Sequence, residues 1–396
     1  MVSTKYNIEL RDKNGGLKAY LTPFVSNVIW EWNRKGGCGA CAITLKKGYR
    51  DIIFDARDDI QIRIKSGSTT KLFYRGFIAN ITPALKTDQQ ISLQVRGYFD
   101  LLKKIIVQDT GDIKTYSSTE ISLIVDDIID NFVIGNTPIT KGTIDVEGFV
   151  ADELQFLNTV ENALSTLADL SEGVEYGVDE NLVFFWRNED KTIKNKFFVG
   201  DNVEVLERTV KWDDLVNRVY LVGGTVGGSK YKRTGENTDS QALYYLAESI
   251  INNGSIITDT VADQYIGSKL RTNSSPIFKI RAKIKNTAKR IEDTVPIGLV
   301  SFYDAQYDKL SAGDLVGDIV GLAVDGGSDI TIGLAVDGGD DKTIGGQYAA
   351  QASRISYELS NTPDRVNITV ELGDTVLEIA ARLKRLDLAL SNLQQY

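Results

Sequence analysis

Histidine is absent from the 396 residues. That absence removes every Ser-His-Asp or Cys-His nucleophile, every His-ligated zinc and the commonest general acid/base near neutral pH. Cysteine occurs twice, as Cys38-Gly39-Ala40-Cys41, and two ligands do not complete a zinc site within one chain. A thioredoxin-like pair is expected between a strand and a helix, whereas 42–45 reads as a strand running on from the motif. Structural thiols in a reducing compartment are the favoured reading, and the redox state of Cys38 and Cys41 is left open. No run of 18 to 20 apolar residues exists for a membrane-spanning helix, and residues 1–18 are polar with no signal-peptide core. A soluble chain without a membrane segment is expected. An excess of basic charge is lacking as well. Net charge is −9 and the pI is near 4.9, which argues against specific nucleic-acid binding, because phosphate contacts need clustered Lys and Arg.

What is present is an ordinary folding composition, 42% hydrophobic and 25% charged, in a chain long enough for two to four domains. The expected class is mainly β with an α+β insertion. Ile60, Ile62 and Ile64 alternate with Gln61, Arg63 and Lys65, the period of a half-exposed antiparallel strand. Similar runs at 6–10, 42–45, 72–78 and 91–95, with a helical turn over 98–104, predict a first small β-barrel over 1–106.

An α+β domain is expected over 107–208. Ile121, Ile124, Val125, Ile128, Ile129 and Phe132 recur at three and four, one stripe of an amphipathic helix, with Ser117 and Glu120 as its capping box. A second helix is predicted over 160–170, with Asn158 as N-cap, Glu161 as its partner and Gly173 at the left-handed C-terminal position. Residues 174–178 and 182–186 then read as a hairpin. A strand over 217–222 precedes a mobile loop at 227–239, and a helix over 261–270 and strands over 278–284 and 298–303 follow. Residues 229–296 are expected to complete the α+β region, while 209–228 and 297–373 form a second β-barrel. Within the latter, 321–332 and 333–344 repeat one motif; two copies are too few for a solenoid and suggest an elongated hairpin. Asp325, Asp329, Asp337, Asp340 and Asp341 could together hold a calcium ion but lack the ligand spacing of an EF-hand loop, and ion binding by the repeat is left open.

At 374–396 the apolar residues Val376, Ile379, Leu383, Leu386, Leu390 and Leu393 follow the spacing three-four-three-four-three, the a and d positions of a heptad. A coiled-coil helix is predicted, with an amphipathic helix docked on its own barrel as the competing reading. Burying six such side chains is worth about 9 to 18 kcal/mol gross per chain, much of which association and helix ordering take back.

Several stretches resemble the tail-hub (baseplate-hub, tail-associated) proteins of long-tailed bacteriophages and related contractile injection machines. Trp32-Asn33-Arg34-Lys35-Gly36-Gly37-Cys38-Gly39-Ala40-Cys41-Ala42-Ile43, Tyr74-Arg75-Gly76-Phe77-Ile78 and 95–102 look like that family's first barrel. Residues 160–186 are similar to its α+β domain, and Trp212-Asp213-Asp214-Leu215-Val216-Asn217-Arg218-Val219 with Leu310-Ser311-Ala312-Gly313-Asp314-Leu315-Val316 to its second barrel. The resemblance implies a homotrimer whose two barrels per chain form a pseudo-sixfold ring in the virion tail tip or baseplate, assembled in the host cytoplasm. Implied partners are the distal tail ring and tail tube, a tip, spike or fibre protein, and the C-terminus of the tape-measure protein. Many relatives carry a lysozyme or peptidase domain after the hub. This chain stops at Tyr396, so any enzymatic cargo is expected on a separate polypeptide.

Two other classes compete. A tail-associated cell-wall hydrolase would need a carboxylate pair, and Asp58-Asp59, Asp126-Asp127 and Asp213-Asp214 are adjacent, although sequence neighbours point apart and surface solvation explains them. A carbohydrate-binding tip protein would need exposed aromatics, for which Trp30, Trp32, Trp186, Trp212 and 17 Tyr are the supply. The expectation is a structural, non-enzymatic protein with no cofactor and no metal, whose site residues are the heptad seam.

Overall fold

The computed structural model describes residues 5–46, 51–66, 69–83, 90–171, 173–189, 193–198, 203–284, 299–304, 346–360 and 366–372. The alternation of Ile60, Ile62 and Ile64 does what its period demands: all three are buried within the strand Asp59–Ser66. That strand lies between Lys5–Arg11 and Thr69–Pro83, antiparallel to both. The ladder continues through Ile91–Gly97 and Lys35–Leu45 to Val25–Asn33.

From Val25–Asn33 the ladder crosses into the C-terminal part of the chain. Gly346–Ser360 pairs antiparallel with Val25–Asn33, placing Tyr357 opposite Trp30, and on its other side with Val366–Leu372; that strand pairs in turn with Ile277–Ile284, and Ile277–Ile284 with Val203–Lys211. Where two separate barrels were expected, the described residues show one continuous sheet. Its outer strands, Leu17–Tyr20 and Val203–Lys211, each pair on one side only, so no closed ladder forms among the described residues. Ile8, Val28, Trp30, Ile43, Ile62 and Leu93 form the core between the faces of the N-terminal strands. Val25–Asn33 is a strand the sequence reading passed over, although Val28, Trp30 and Trp32 are buried in strict alternation.

A second core holds the α+β region. Helix α1, Ile121–Ile128, buries Ile121, Ile124, Val125 and Ile128 and runs on into one π turn, Ile129–Val133. The predicted capping box is corrected: Ser117 lies in the strand Lys114–Glu120, and Glu120 is itself the N-cap, accepting from the Leu123 N–H. Helix α2, Val160–Leu170, is capped by Thr159, whose Oγ1 accepts from the Asn162 N–H at 3.3 Å; Asn158 instead pairs with Val107 in a short ladder. Gly173 has φ +70 as expected. The hairpin is Val174–Val178 with Val183–Asn188, its turn drawn in by Asp179 Oδ1, which accepts from the N–H groups of Asn181 and Val183.

This hairpin joins the two cores. Val174–Val178 pairs parallel with Lys35–Leu45, setting Gly177 opposite Gly36 and Val178 opposite Gly37. The backbones approach so closely that a Cβ on Gly37 or Gly177 would collide with the opposing main chain. Beside the joint Arg34 reaches Glu189 at 2.8 Å and the buried Glu175 at 3.4 Å, and Trp32 stacks on Phe185 with centroids 5.9 Å apart.

The mobile loop expected at 227–239 is a strand. Arg218–Val226 turns through Gly227 and Gly228, with φ of +56 and +83, into Ser229–Glu236. Two consecutive positive φ values are what a two-residue type I′ hairpin requires, and Gly-Gly supplies them without strain. Glu248–Asn252 adds parallel to Arg218–Val226, completing a three-stranded sheet. Helix α3, Thr238–Tyr244, links the last two strands, and α4, Asp259–Asn273, packs on the sheet and on α2 with Val261, Tyr265 and Ile266 buried. The repeat at 321–344 with its five Asp residues, and the seam residues Val376, Ile379, Leu383, Leu386, Leu390 and Leu393, lie outside the described residues.

Candidate assembly surface

The carboxylate pairs Asp58-Asp59 and Asp126-Asp127 are engaged in holding the fold. Asp58 and Asp59 are buried rather than solvated, which corrects the sequence reading. Lys18 Nζ meets Asp58 at 2.6 Å, and Asp59 accepts from Arg75 Nε at 3.0 Å, Tyr98 Oη at 2.9 Å and Gln61 Nε2 at 2.8 Å. Asp126 binds Lys141 at 3.0 Å, while Asp127 accepts from Tyr116 Oη at 2.7 Å. Asp213 and Asp214 are exposed in a turn. Cys38 and Cys41 are free, buried in the strand Lys35–Leu45, and burial pushes both thiols far above their ordinary value. A thiol kept protonated is a poor nucleophile.

Burial pushes Glu147 up to about 6, against the hydrogen bond it accepts from Trp186 Nε1 at 3.2 Å. Its neighbour Glu120 is spent on structure. Burial raises Glu120, but hydrogen bonds from Ser122 Oγ and from the backbone N–H groups of Glu147 and Gly148 outweigh that and lower it. A carboxylate with that many donors is a cap, not a nucleophile. Among the described residues no group of three or more Cys, Asp or Glu is placed to hold a metal ion, and no helix is long and apolar enough to cross a membrane.

The tryptophans divide sharply. Trp30, Trp32 and Trp186 are buried, whereas Trp212 is 56% exposed, so the aromatic row imagined for a carbohydrate binder does not form from the tryptophans. Trp212 instead anchors an apolar surface. It meets Tyr244 edge to face with centroids 5.6 Å apart, beside exposed Leu243, Tyr245 and Leu246. Asn217, fully buried, positions this loop: its Nδ2 donates to the Tyr245 carbonyl at 2.6 Å and its Oδ1 accepts from the Ala247 N–H at 2.8 Å. Tyr245 is thereby held at φ +61 and ψ 176, a region that side-chain-bearing residues avoid, with 87% of its surface in solvent. Strain of this kind persists only where the surroundings impose it. The sequence reading missed both residues, although the run Leu243-Tyr244-Tyr245-Leu246 between polar segments was visible.

No family model matches the chain, and no curated protein matches it in sequence. Solved structures do. The 43 kDa tail protein of prophage MuSo2 from Shewanella oneidensis superposes with a TM-score of 0.58 at 13% identity, over 93% of this chain and 98% of that one. A tail protein from Neisseria meningitidis MC58 gives 0.59 at 10% identity, over 94% and 97%. Prophage tail protein gp18 from Listeria monocytogenes EGD-e gives 0.51 at 12% identity, over 96% and 98%. Over nearly its whole length the chain has the fold of these tail proteins.

Proposed function

We propose that this chain is a structural hub of a bacteriophage tail tip or baseplate, and that it is not an enzyme. The observation that carries the reading is the end-to-end likeness to prophage tail proteins, which leaves almost none of either chain unmatched. The use of Asp58, Asp59, Asp126, Asp127 and Glu120 as structural ligands agrees with it.

In this reading the strand-built unit of 1–106 and a second unit drawn from 297–373 with Val203–Lys211 and Ile277–Ile284 stand side by side, each a barrel in the assembly, with the rest of the α+β region of 107–208 and 229–296 outside them. Three chains then present six units, a pseudo-sixfold ring between a sixfold tube and a threefold tip. The a and d residues Val376, Ile379, Leu383, Leu386, Leu390 and Leu393 fasten the three chains as a coiled coil. The ring joins the distal tail ring and tail tube to the tip, spike or fibre protein, and meets the end of the tape-measure protein. It acts in the virion after assembly in the host cytoplasm. Three copies triple a net charge of −9, which disfavours adhesion to DNA.

Native mass spectrometry of the full chain tests this reading. A species at three times the 43.7 kDa of one chain is expected, reduced to single chains by Leu383→Asp with Leu390→Asp. A wild-type monomer, or hydrolysis of peptidoglycan by the purified chain, would overturn it.

A further inference from the structure

The exposed apolar loop around Trp212 has an occupant within reach. Val203–Lys211 and Val366–Leu372 both run antiparallel to Ile277–Ile284, so they run the same way and leave the sheet at the same end. Lys211, immediately before Trp212, is opposite Ile277, and Leu372 is opposite Ile280. The described chain therefore stops three residues short of the level of Lys211, about 10 Å along the strand direction and two ladder steps, about 10 Å, to the side. Three residues, 373–375, are enough to cover that rise in an extended chain, so Val376 and its successors are within reach of Trp212, Leu243, Tyr245 and Leu246.

The sequence beyond has two apolar faces. At 3.6 residues per turn the seam residues occupy one side of a helix, and Leu377, Ala381 and Leu388 fall about 170° away from it. A free-standing coil keeps that outer face polar. Lys384 and Arg385 flank this second stripe, while exposed Asp213 and Asp214 directly follow Trp212 in the chain. Apolar surface and charge are complementary on both counts.

We infer that the loop formed by Trp212, Leu243, Tyr245 and Leu246 is the seat of the same chain's segment 374–388, which packs there through Leu377, Ala381 and Leu388. The inference rests on the proposed reading of that segment as a seam-bearing helix. The strained, clamped Tyr245 fixes the seat in advance, and the seat orients the helix so that its other face points to the neighbouring copies.

Of the 4 Trp in the sequence, only Trp212 is exposed, so iodide quenching of the full chain reads the seat directly, with Trp212→Phe as the control. Leu377→Asp with Leu388→Asp is expected to raise the quenching constant several-fold, to that of a chain ending at Leu372, while native mass stays that of the trimer. Leu383→Asp with Leu390→Asp is expected to dissolve the trimer and leave Trp212 protected. Quenching of the intact chain equal to that of the shortened one would overturn the inference. So would exposure of Trp212 by the seam variant, since a second copy would then be the cover. A monomeric wild type with a protected Trp212 would sink the trimer and leave the seat standing.

Discussion

Tyr357 lies flat on Trp30, with ring centroids 5.2 Å apart and planes 14° from parallel, and Phe73 meets the same tyrosine edge-on at 6.2 Å. Both stacked side chains are fully buried, and through them the last long strand is fixed to the N-terminal core. Tyr357→Ala is expected to cost about 3 to 5 kcal/mol in urea unfolding. Tyr357→Phe is expected to be neutral or slightly stabilising, because the buried Tyr357 Oη has no hydrogen-bond partner among the described residues. A large loss on Tyr357→Phe would show that the hydroxyl is bonded in solution.

Asp59 is the electrostatic counterpart of that contact. Its carboxylate is buried and receives Arg75, Tyr98 and Gln61 together. Removing either charge leaves the other uncompensated, so Asp59→Ala and Arg75→Ala are each expected to lose about 3 to 5 kcal/mol. The double variant should cost less than the two single losses added together, and a double-mutant cycle by denaturant titration checks this. Simple additivity would mean that the pair is not coupled.

Glu147 predicts a pH dependence with a definite sign. Its carboxyl, ordinarily near 4.5, is raised to about 6 by burial. Between those values the unfolded chain has released the proton and the folded chain keeps it. The contribution is therefore full below pH 4.5 and is lost as pH rises through 6. Since Glu147 is only half-buried, solvent screening holds the loss to on the order of 1 kcal/mol. Glu147→Gln keeps an acceptor for Trp186 and is expected to remove this slope; urea midpoints at pH 4.5 and 6.5 for both proteins measure it.

The two thiols give the simplest check. Cys38 and Cys41 are buried with their ionisation suppressed, so a thiol-disulfide reagent at pH 8 should titrate neither in the native protein and both after denaturation. Rapid native reaction would restore the redox reading of the Cys-Gly-Ala-Cys motif.

The elements legible in the sequence were those whose side-chain period is local. The stripe of α1, the extent of α2 and the alternation at Ile60 to Ile64 each announce a buried face within a dozen residues. Caps were misassigned by one to three positions because several oxygen-bearing side chains crowd each helix start. Ser117 and Glu120 compete before α1, and Asn158 and Thr159 before α2, and only backbone geometry chooses between them. The loop expected over 227–239 failed for a different reason. Ser229–Glu236 is a polar strand whose exposed residues carry no apolar period, and the Gly227-Gly228 turn that defines it was taken for flexibility. Asp59 looked like a surface acid because its partners Arg75 and Tyr98 are distant in sequence. The assembly surface was hardest to see, since Asn217 and Tyr245 matter through backbone geometry that no residue pattern displays.

The pairing of Gly346–Ser360 with Val25–Asn33, sealed by Arg354 on Glu31 across 323 residues of sequence, carries a consequence for biosynthesis. A ribosome that has finished Val25–Asn33 must add more than three hundred residues before its neighbour exists, on the order of tens of seconds at usual elongation rates. Through that interval the edge of Val25–Asn33 is an open template with Trp30 lacking its Tyr357 cover, the condition under which nascent chains aggregate or pair with one another. Yield in a heterologous host should therefore respond to growth temperature and chaperone supply more than to any gain in the stability of the finished fold.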